Sequence, residues 1–282
     1  NRAVLPFEPG SVMKPISLMI AFEDGLVKHV TDQVSCAPFQ RTSDPHGSGM
    51  KTMKQVIEQS SNPGIARVIF RGYEKDPARF HDRLAELGFF EPIRSGIAGE
   101  CTPRIRKLLP KDSKGNNITI KARHLDLARQ AYGYNTELPP LFTLAVYNAI
   151  ANGGRYVRPH LMKGLVDEDG NDSIIPIQYI RDRICSEETA RKVRECIAEV
   201  VWGEHGTARA VRDDRVKVAG KTGTAYPVEN GVYNTAKRRY AFAGFFPYEN
   251  PQYSCIALVL GPSGTSANRT SGQVVKNMAV KM

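Results

Sequence analysis

The feature of this chain that most constrains its fold is a change of sequence pattern near residue 215. From about residue 11 to 155, apolar residues recur at the spacing of amphipathic helices, with Gly and Pro marking the turns. From about 215 to 282, short runs rich in β-branched and aromatic residues predict strands. We therefore predict a single domain over 1–282 with an α/β (α+β) fold, in which an antiparallel sheet is flanked by helices and joined to an all-α lobe.

Helical periodicity and turn residues place seven helices along the chain. They cover Ser11–Phe22, Thr52–Gln59, Ile65–Arg71, Pro77–Leu87, Leu125–Tyr132, Leu141–Asn152 and Ser271–Val280. Segments 33–49 and 96–117 are rich in residues that favour loops, and Gly153-Gly154 can end a helix in the left-handed conformation. The predicted strands are Val216–Ala219, Tyr240–Phe246 and Tyr253–Leu260. A turn-like link between the last two predicts an antiparallel hairpin.

The formal net charge of +10 is compatible with an anionic partner. The basic residues are scattered, however, and the densest cluster is only Lys237-Arg238-Arg239, so a solvated basic surface is favoured over nucleic-acid binding. No apolar run approaches the roughly 18 residues that span a bilayer. Because the chain begins at Asn1 without a visible signal peptide, we expect it to be part of a longer protein that carries any export signal or membrane anchor.

The cysteines and histidines do not form a recognisable metal or disulfide pattern. The five cysteines are Cys36, Cys101, Cys185, Cys196 and Cys255. Their number is odd and they lack C-x-x-C spacing, which argues against a disulfide framework and against a zinc site. The six histidines lack H-E-x-x-H spacing. We therefore expect neither a metal nor another cofactor.

Ser11 and Lys14 form an S-x-x-K pattern directly after Pro9-Gly10. In a helix this spacing places both side chains on one face, with Cβ atoms about 5–6 Å apart. Ser11 would lie at the positive end of the helix dipole, and a desolvated Lys14 with a lowered pKa can remove the serine proton. By itself the pattern is common, and a capping serine near a surface lysine is the alternative interpretation.

Ser60-Ser61-Asn62 fits S-x-N on a turn between two predicted helices. Side chains on such a turn can project into a cleft. The alternative interpretation is a serine that caps the helix after it.

Lys221-Thr222-Gly223-Thr224 contains K-T-G on or just after a predicted strand. Alternation along the strand would place Thr222 and Thr224 on the same side, where their hydroxyls can bind a carboxylate. Gly223 would let a substrate backbone approach closely, and Lys221 adds positive charge. The alternative is a strand end with an exposed lysine.

The three patterns occur together and in the order that penicillin-binding proteins and class A β-lactamases share. The chain resembles class B penicillin-binding proteins over nearly its whole length. The resemblance also rests on the following segments: Phe7–Pro15, Tyr132–Tyr134, Pro139–Leu141, Tyr147–Tyr156, His205–Ala225 and Tyr240–Pro247. The Phe-Glu-Pro-Gly-Ser sequence ending at Ser11 is more similar to the division-associated branch than to the elongation branch.

The resemblance implies a catalytic role for five residues of the three motifs. Ser11 would be the acylated nucleophile, Lys14 its general base, and Ser60 the group that relays a proton to the leaving amine. Asn62 would hydrogen-bond the substrate amide or stem peptide, and Lys221 would hold the hydroxyl of Ser60.

The resemblance also implies how the substrate end is bound. Thr222 and Thr224, with Gly223 between them, would bind the terminal carboxylate of D-Ala-D-Ala. The backbone N–H groups of Ser11 and Thr224 would form the oxyanion hole.

The implied function is that of a serine D,D-transpeptidase that cross-links peptidoglycan stem peptides and is acylated by β-lactam antibiotics. Such a domain works outside the cytoplasm, on the periplasmic face of the inner membrane, and its expected partners include membrane proteins of the division machinery. Family members carry two sheet strands before the active serine, whereas ten residues precede Ser11. We therefore expect the N-terminal strands of the sheet to be missing from this chain.

Other activities remain open on the same motifs. A D,D-carboxypeptidase would use water as the acceptor, and a β-lactam sensor would be acylated without turnover. A serine β-lactamase would need a carboxylate that activates water, for which Glu100 is the candidate, although its sequence context differs from that family. A basic binding module without catalysis is the fourth alternative.

Overall fold

The structure is a computed structural model that describes residues 1–44, 47–229 and 232–282. Eight α-helices lie within these ranges. They are α1 (Lys14–Glu23), α2 (Met53–Glu58), α3 (Asn62–Tyr73), α4 (Ala78–Glu86), α5 (Ile120–Ala131), α6 (Pro140–Ala151), α7 (Glu187–Trp202) and α8 (Ser271–Lys281). Four short 3₁₀ turns accompany them: Arg2–Val4, Gly10–Met13, Arg209–Val211 and Ala267–Arg269. Within the described ranges, no helix combines the length and apolar character needed to cross a membrane.

The strands are short except for those of one central sheet. They are β1 (Gln33–Ser35), β2 (Met50–Thr52), β3 (Arg104–Ile105), β4 (Thr136–Glu137), β5 (Tyr156–Val157), β6 (Gly164–Val166), β7 (Asp172–Ile174), β8 (Tyr179–Arg181), β9 (Ala219–Ala225), β10 (Val228–Glu229), β11 (Val232–Tyr233), β12 (Lys237–Phe246) and β13 (Tyr253–Pro262). The central sheet has the order β13-β12-β9, and the other described strands form two-stranded pairs.

The central sheet is antiparallel throughout. Strand β12 pairs with β13 along its whole length and with β9 on its other side, where Phe242 lies opposite Thr222. The predicted hairpin is therefore confirmed, with both strands longer than predicted. Helices α6, α7 and α8 pack against this sheet, while α1, α2, α3 and α5 pack among themselves and against α7. One hydrophobic core runs from Val12 to Ala279 through both regions, which favours the prediction of one domain.

The predicted strand at Val216–Ala219 is wrong in its position. The strand begins at Ala219 and runs through the K-T-G motif to Ala225. The carbonyl of Val218 accepts a hydrogen bond from the indole of Trp202 at 2.9 Å instead of joining a sheet ladder. The motif thus lies inside the strand, and a contact with a distant residue decides where that strand begins.

Helix α7 is the largest element that the sequence analysis did not assign. Ser186 caps it by accepting a hydrogen bond from the N–H of Thr189 at 3.1 Å, and Glu187 and Glu188 lie in its first turn. Its apolar face is buried against the sheet and the other helices. These capping signals are readable in the sequence.

The remaining helix predictions differ from the structure mainly at their first residues. Helix α3 begins at Asn62 because Ser61 caps it, and α5 begins at Ile120 because Thr119 caps it. The predicted helix Ser11–Phe22 is divided, since Gly10–Met13 is a 3₁₀ turn and α1 starts only at Lys14. The predicted loop at 33–49 opens with strand β1.

Candidate active site

Ser11 lies on the 3₁₀ turn Gly10–Met13, immediately before α1. The turn starts at Gly10, whose φ of +55° favours glycine, and the N–H of Gly10 donates to the carbonyl of Gly133 at 3.0 Å. The carbonyl of Val12 accepts a hydrogen bond from the buried hydroxyl of Tyr147 at 2.9 Å. Contacts from two distant segments therefore fix the turn that carries the serine.

Lys14 brings the S-x-x-K and S-x-N motifs together. Its Nζ lies 2.9 Å from Ser11 Oγ, 2.9 Å from Ser60 Oγ and 2.5 Å from the backbone oxygen of Ser60. The side chain is fully buried. Burial lowers the pKa of Lys14 well below its usual value, the charge of Lys221 lowers it further, and Asp44 opposes the shift. A neutral amine here can donate to the two Ser60 oxygens and accept the Ser11 proton on its lone pair.

Ser60 reaches Lys14 through an uncommon backbone conformation. Its φ is +59°, and the tight turn is closed by hydrogen bonds from the Ser60 N–H to the Ile57 carbonyl and from the Ser61 N–H to the Val56 carbonyl. Ser61 then caps α3 by accepting from the N–H of Gly64 at 3.0 Å. Both interpretations of S-x-N apply: Ser61 is the helix cap, and Ser60 projects towards Lys14.

Asp44 is a buried carboxylate behind this turn that the sequence analysis did not select. Its Oδ1 accepts a hydrogen bond from the backbone N–H of Asn62 at 3.0 Å, and its Oδ2 lies 3.7 Å from Lys51 Nζ. Only 4% of the Asp44 side chain is exposed. Asp44 thus fixes the first turn of α3 and supplies the negative charge that acts on Lys14.

Lys221 is fully buried on strand β9, so the alternative of an exposed lysine is wrong. Burial lowers its pKa to about 7. Its Nζ lies 3.2 Å from the carbonyl oxygen and 3.4 Å from the hydroxyl of Thr222. In the described part of the chain it makes no hydrogen bond to Ser60, so its influence on the Ser60–Lys14 pair is electrostatic.

Thr222 and Thr224 share the partly exposed side of β9, as the alternation predicts, while Lys221 and Gly223 point to the buried side. The hydroxyl of Thr207, in the loop after α7, lies 3.0 Å from that of Thr222. Three threonine hydroxyls near one strand edge can therefore donate to a carboxylate.

Gly223 has a different role from the predicted one. A Cβ on Gly223 would lie 2.7 Å from the carbonyl oxygen of Pro9 and 3.0 Å from the side chain of Val12. The space above it is filled by the serine-bearing turn, not left open for a substrate. Gly223 lets that turn pack on the strand, which brings the backbone of Ser11 near that of Thr224.

The geometry joins all three motifs at one place, and the comparisons with known proteins agree with it. The sequence matches the family described as the penicillin-binding protein transpeptidase domain over residues 1–279. The chain belongs to this family. It is 27% identical over 267 residues to stage V sporulation protein D of Bacillus subtilis, covering 92% of this chain and 39% of that protein. It is 28% identical over 287 residues to the probable peptidoglycan D,D-transpeptidase PenA of Neisseria flavescens, covering 100% and 64%.

Solved structures give the same result for the fold of this transpeptidase domain. Penicillin-binding protein 3 of Mycobacterium tuberculosis superposes with a TM-score of 0.80 at 27% identity, covering 99% of this chain and 63% of that one. Among sequence relatives, the chain is also similar to peptidoglycan D,D-transpeptidase FtsI of Buchnera aphidicola, at 26% identity over 269 residues, covering 94% of this chain and 43% of that protein. This similarity supports the assignment of the chain to the division-associated branch of the class B penicillin-binding proteins. The chain spans between 39% and 64% of the length of these three curated relatives.

Glu100, the candidate carboxylate of a β-lactamase, is engaged within its own loop. Its oxygens accept hydrogen bonds from the N–H of Arg94 at 2.7 Å and from the N–H and hydroxyl of Ser95 at 2.8 and 2.7 Å. Burial alone would raise the pKa of Glu100, but these hydrogen bonds outweigh it and lower the pKa. A carboxylate stabilised in this way is a poor base for water.

Sequence reasoning missed Asp44 and Thr207 because each acts across a long separation in the chain. Thr207 lies in the segment His205–Ala225 that carries the family resemblance, which is the one signal that pointed to it. Among the described residues, no three His, Cys, Asp or Glu side chains are grouped to hold a metal ion, and the described cysteines are free thiols.

Proposed function

We propose that this chain is the catalytic domain of a serine D,D-transpeptidase that cross-links peptidoglycan stem peptides through an acyl-enzyme on Ser11. The single observation that carries the proposal is the buried Lys14 Nζ, 2.9 Å from both the Ser11 and Ser60 hydroxyl oxygens. A serine is activated by an adjacent base within hydrogen-bond reach, and Lys14 meets that requirement.

Acylation would begin with proton transfer from Ser11 to neutral Lys14. Ser11 Oγ attacks the carbonyl carbon between the two D-Ala residues, and the backbone N–H groups of Ser11 and Thr224 stabilise the oxyanion. Each such donor contributes about 3–4 kcal/mol in other acyl-transfer enzymes. The C–N bond then breaks as the leaving amine takes a proton through Ser60, which is hydrogen-bonded to Lys14.

The terminal carboxylate of the donor would bind at strand β9. Thr222 and Thr224 would donate to it, and Thr207 would orient the Thr222 hydroxyl through their 3.0 Å contact. In its protonated form, buried Lys221 would add positive potential beneath the strand. Asn62 would hydrogen-bond the peptide backbone on the other side of Ser11.

Deacylation would reverse these roles. The amine of a neighbouring stem peptide loses a proton through the Ser60–Lys14 pair and attacks the ester, and Ser11 Oγ leaves with the proton returned from Lys14. With water as the acceptor the same steps would give a carboxypeptidase.

The test is a two-substrate assay with a thioester analogue of the donor and a D-amino acid as the amine acceptor. We expect the amide product to increase with acceptor concentration at the expense of the hydrolysis product, and Ser11→Ala to form neither. Hydrolysis unaffected by the acceptor would assign the chain to the carboxypeptidases instead.

We propose two further properties by analogy. Penicillin-binding protein 3 of Mycobacterium tuberculosis has been solved in complex with aztreonam and with ampicillin. We propose that β-lactams also bind this chain and that they acylate Ser11. We also propose that the domain works on the periplasmic face of the inner membrane, with divisome membrane proteins as partners.

A further inference from the structure

The loop after helix α7, residues 203–207, carries Thr207 to strand β9. The hydroxyl of Thr207 lies 3.0 Å from that of Thr222. Within the loop, the N–H of Gly206 donates to the carbonyl of Gly203 at 3.3 Å. That bond closes the loop on itself, so the placement of Thr207 against the strand depends on what the loop packs against.

Glu58 holds this loop from the side of helix α2. Its Oε1 accepts a hydrogen bond from the backbone N–H of His205 at 2.6 Å, and its backbone carbonyl accepts one from the N–H of Thr207 at 3.2 Å. A Cβ on Gly203 would lie 2.4 Å from the same Oε1, so the loop needs glycine at this position to pack against the carboxylate. Three positions of the loop therefore meet one residue.

The stability of helix α2 does not explain a carboxylate at this position. Glu58 is the last residue of α2, where the helix dipole disfavours a negative charge. The residue is also buried, with 6% of its surface exposed. A buried carboxylate is costly unless it is hydrogen-bonded, and the loop supplies the N–H of His205 as a donor. A hydrogen bond to a charged group is stronger than one between neutral groups, so this contact fixes the loop firmly.

The same end of α2 also carries the proton-relay serine. Glu58 lies two residues before Ser60, whose hydroxyl and backbone oxygen contact the Nζ of Lys14. The N–H of Ser60 donates to the carbonyl of Ile57 at 3.2 Å, so the turn that holds Ser60 grows out of the last turn of the helix. One helix end thus supports the general base on one side and the threonine pair of the carboxylate site on the other.

We propose that Glu58 is a positioning residue for recognition of the donor carboxylate. Its side chain keeps the loop 203–207 where the hydroxyl of Thr207 meets that of Thr222, and Thr222 then presents its own hydroxyl to the substrate. The inference rests on the proposed function, in which strand β9 binds the terminal carboxylate of the donor. Glu58 acts through Thr207 and not by contact with the substrate.

Benzylpenicillin and its methyl ester are a matched pair of probes, because they differ only in the charge of the carboxyl group. The measurement is the second-order rate constant of acylation by each compound, from intact mass, and the readout is the ratio of acid to ester. Glu58→Met fills a similar volume but removes the acceptor for the His205 N–H. We expect the ratio to fall about threefold to tenfold, as for the loss of one hydrogen bond. Glu58→Gln, whose amide oxygen can still accept, should keep about half of the wild-type ratio or more.

Two further variants separate positioning from a general structural effect. Glu204→Met is the matched control, since Glu204 is an exposed carboxylate in the same loop and its replacement should leave the ratio unchanged. If Glu58 acts through Thr207, the double variant Glu58→Met/Thr207→Val should show the ratio of Thr207→Val alone. A merely structural role would lower both rate constants together and leave the ratio at its wild-type value.

Three results would contradict the inference while leaving the acyl-enzyme chemistry intact. They are a wild-type ratio in Glu58→Met, losses that multiply in the double variant, and unfolding of both Glu58→Met and Glu58→Ala in circular dichroism. Unfolding of both would mean that the whole fold, and not the carboxylate site, depends on Glu58. If Glu58→Met alone is unfolded, Glu58→Ala takes its place with the same expected ratio. Absence of Ser11 acylation by both compounds in the wild type would overturn the proposed function and this inference with it.

Discussion

The Nζ of Lys14 lies 2.9 Å from the Oγ of Ser11 across the junction between a 3₁₀ turn and helix α1. The junction keeps the serine at the mouth of the site while the lysine is fully buried. Burial is the largest cause of the lowered Lys14 pKa. The buried position of Lys14 therefore favours the neutral amine that can act as a base, while the partly exposed Ser11 stays accessible to a substrate.

Replacing Lys14 by Met should nearly abolish acylation while leaving the fold intact. Met fills a similar volume, and loss of a general base costs about 10²–10⁴-fold in rate. The measurement is the acylation rate by benzylpenicillin, with circular dichroism as the control for folding. Lys28→Met, at an exposed position, should react like the wild type. A Lys14→Met rate within about threefold of the wild type would mean that another group takes the proton.

Replacing Asp44 by Asn should move the pH dependence of acylation. The Asn oxygen can still accept the hydrogen bond from the Asn62 N–H, but the negative charge that raises the pKa of Lys14 is gone. The pKa of Lys14 then falls further, the neutral amine persists at lower pH, and the acidic limb of the pH–rate profile shifts to lower pH. An unchanged profile would show that Asp44 acts through structure alone.

Asp44→Ala separates the two roles of this carboxylate. It removes the hydrogen-bond acceptor as well, so it should lower the free energy of unfolding by about 1–3 kcal/mol more than Asp44→Asn. Urea denaturation of both variants measures the difference.

Replacing Gly10 by Ala should prevent acylation by displacing the active-serine turn. A Cβ at Gly10 would lie 2.6 Å from the carbonyl oxygen of Thr224, and the φ of +55° disfavours Ala. Gly261→Ala is the matched control, because its Cβ would meet only the ring of Tyr240 at 3.5 Å. We expect the control to react normally. Normal acylation of Gly10→Ala would contradict the close packing of this turn on β9.

Replacing Thr207 by Val should weaken recognition of the penicillin carboxylate. The substitution keeps the shape of the side chain but removes the hydroxyl 3.0 Å from that of Thr222. Loss of one hydrogen bond lowers the second-order acylation rate by about threefold to tenfold. Thr207→Ser, which keeps the hydroxyl, should react within about twofold of the wild type. Equal rates for Val and Ser would remove Thr207 from the site.

The sequence predicts those parts of the site that depend on local spacing. Ser11 and Lys14 meet because they are three residues apart on one helical face, and Thr222 and Thr224 share a side because strand residues alternate. Asp44 could not be predicted because its contact with Asn62 joins residues 18 positions apart, on either side of β2 and α2. The start of β9 could not be predicted either, because it depends on the hydrogen bond from Trp202 to Val218. This contact between separate elements decides which residues join the sheet.

Helix α7 was absent from the sequence prediction for a different reason. Its cap at Ser186 and the acidic first turn are local signals, so a complete reading of the segment would have found it. By contrast, the packing role of Gly223 could be recognised only in the structure, because its contacts, Pro9 and Val12, lie more than two hundred residues earlier in the chain.

The most direct test of the account is time-resolved intact mass after benzylpenicillin treatment, followed by peptide mapping. We predict one adduct, on Ser11, that persists for minutes to hours after excess drug is removed, because Glu100, the candidate for activating water against the ester, is held by hydrogen bonds within its own loop. Ser11→Ala should form no adduct, and Glu100→Gln should not change the lifetime. An adduct on Ser60 or on no serine, or release within seconds that Glu100→Gln slows, would contradict the account.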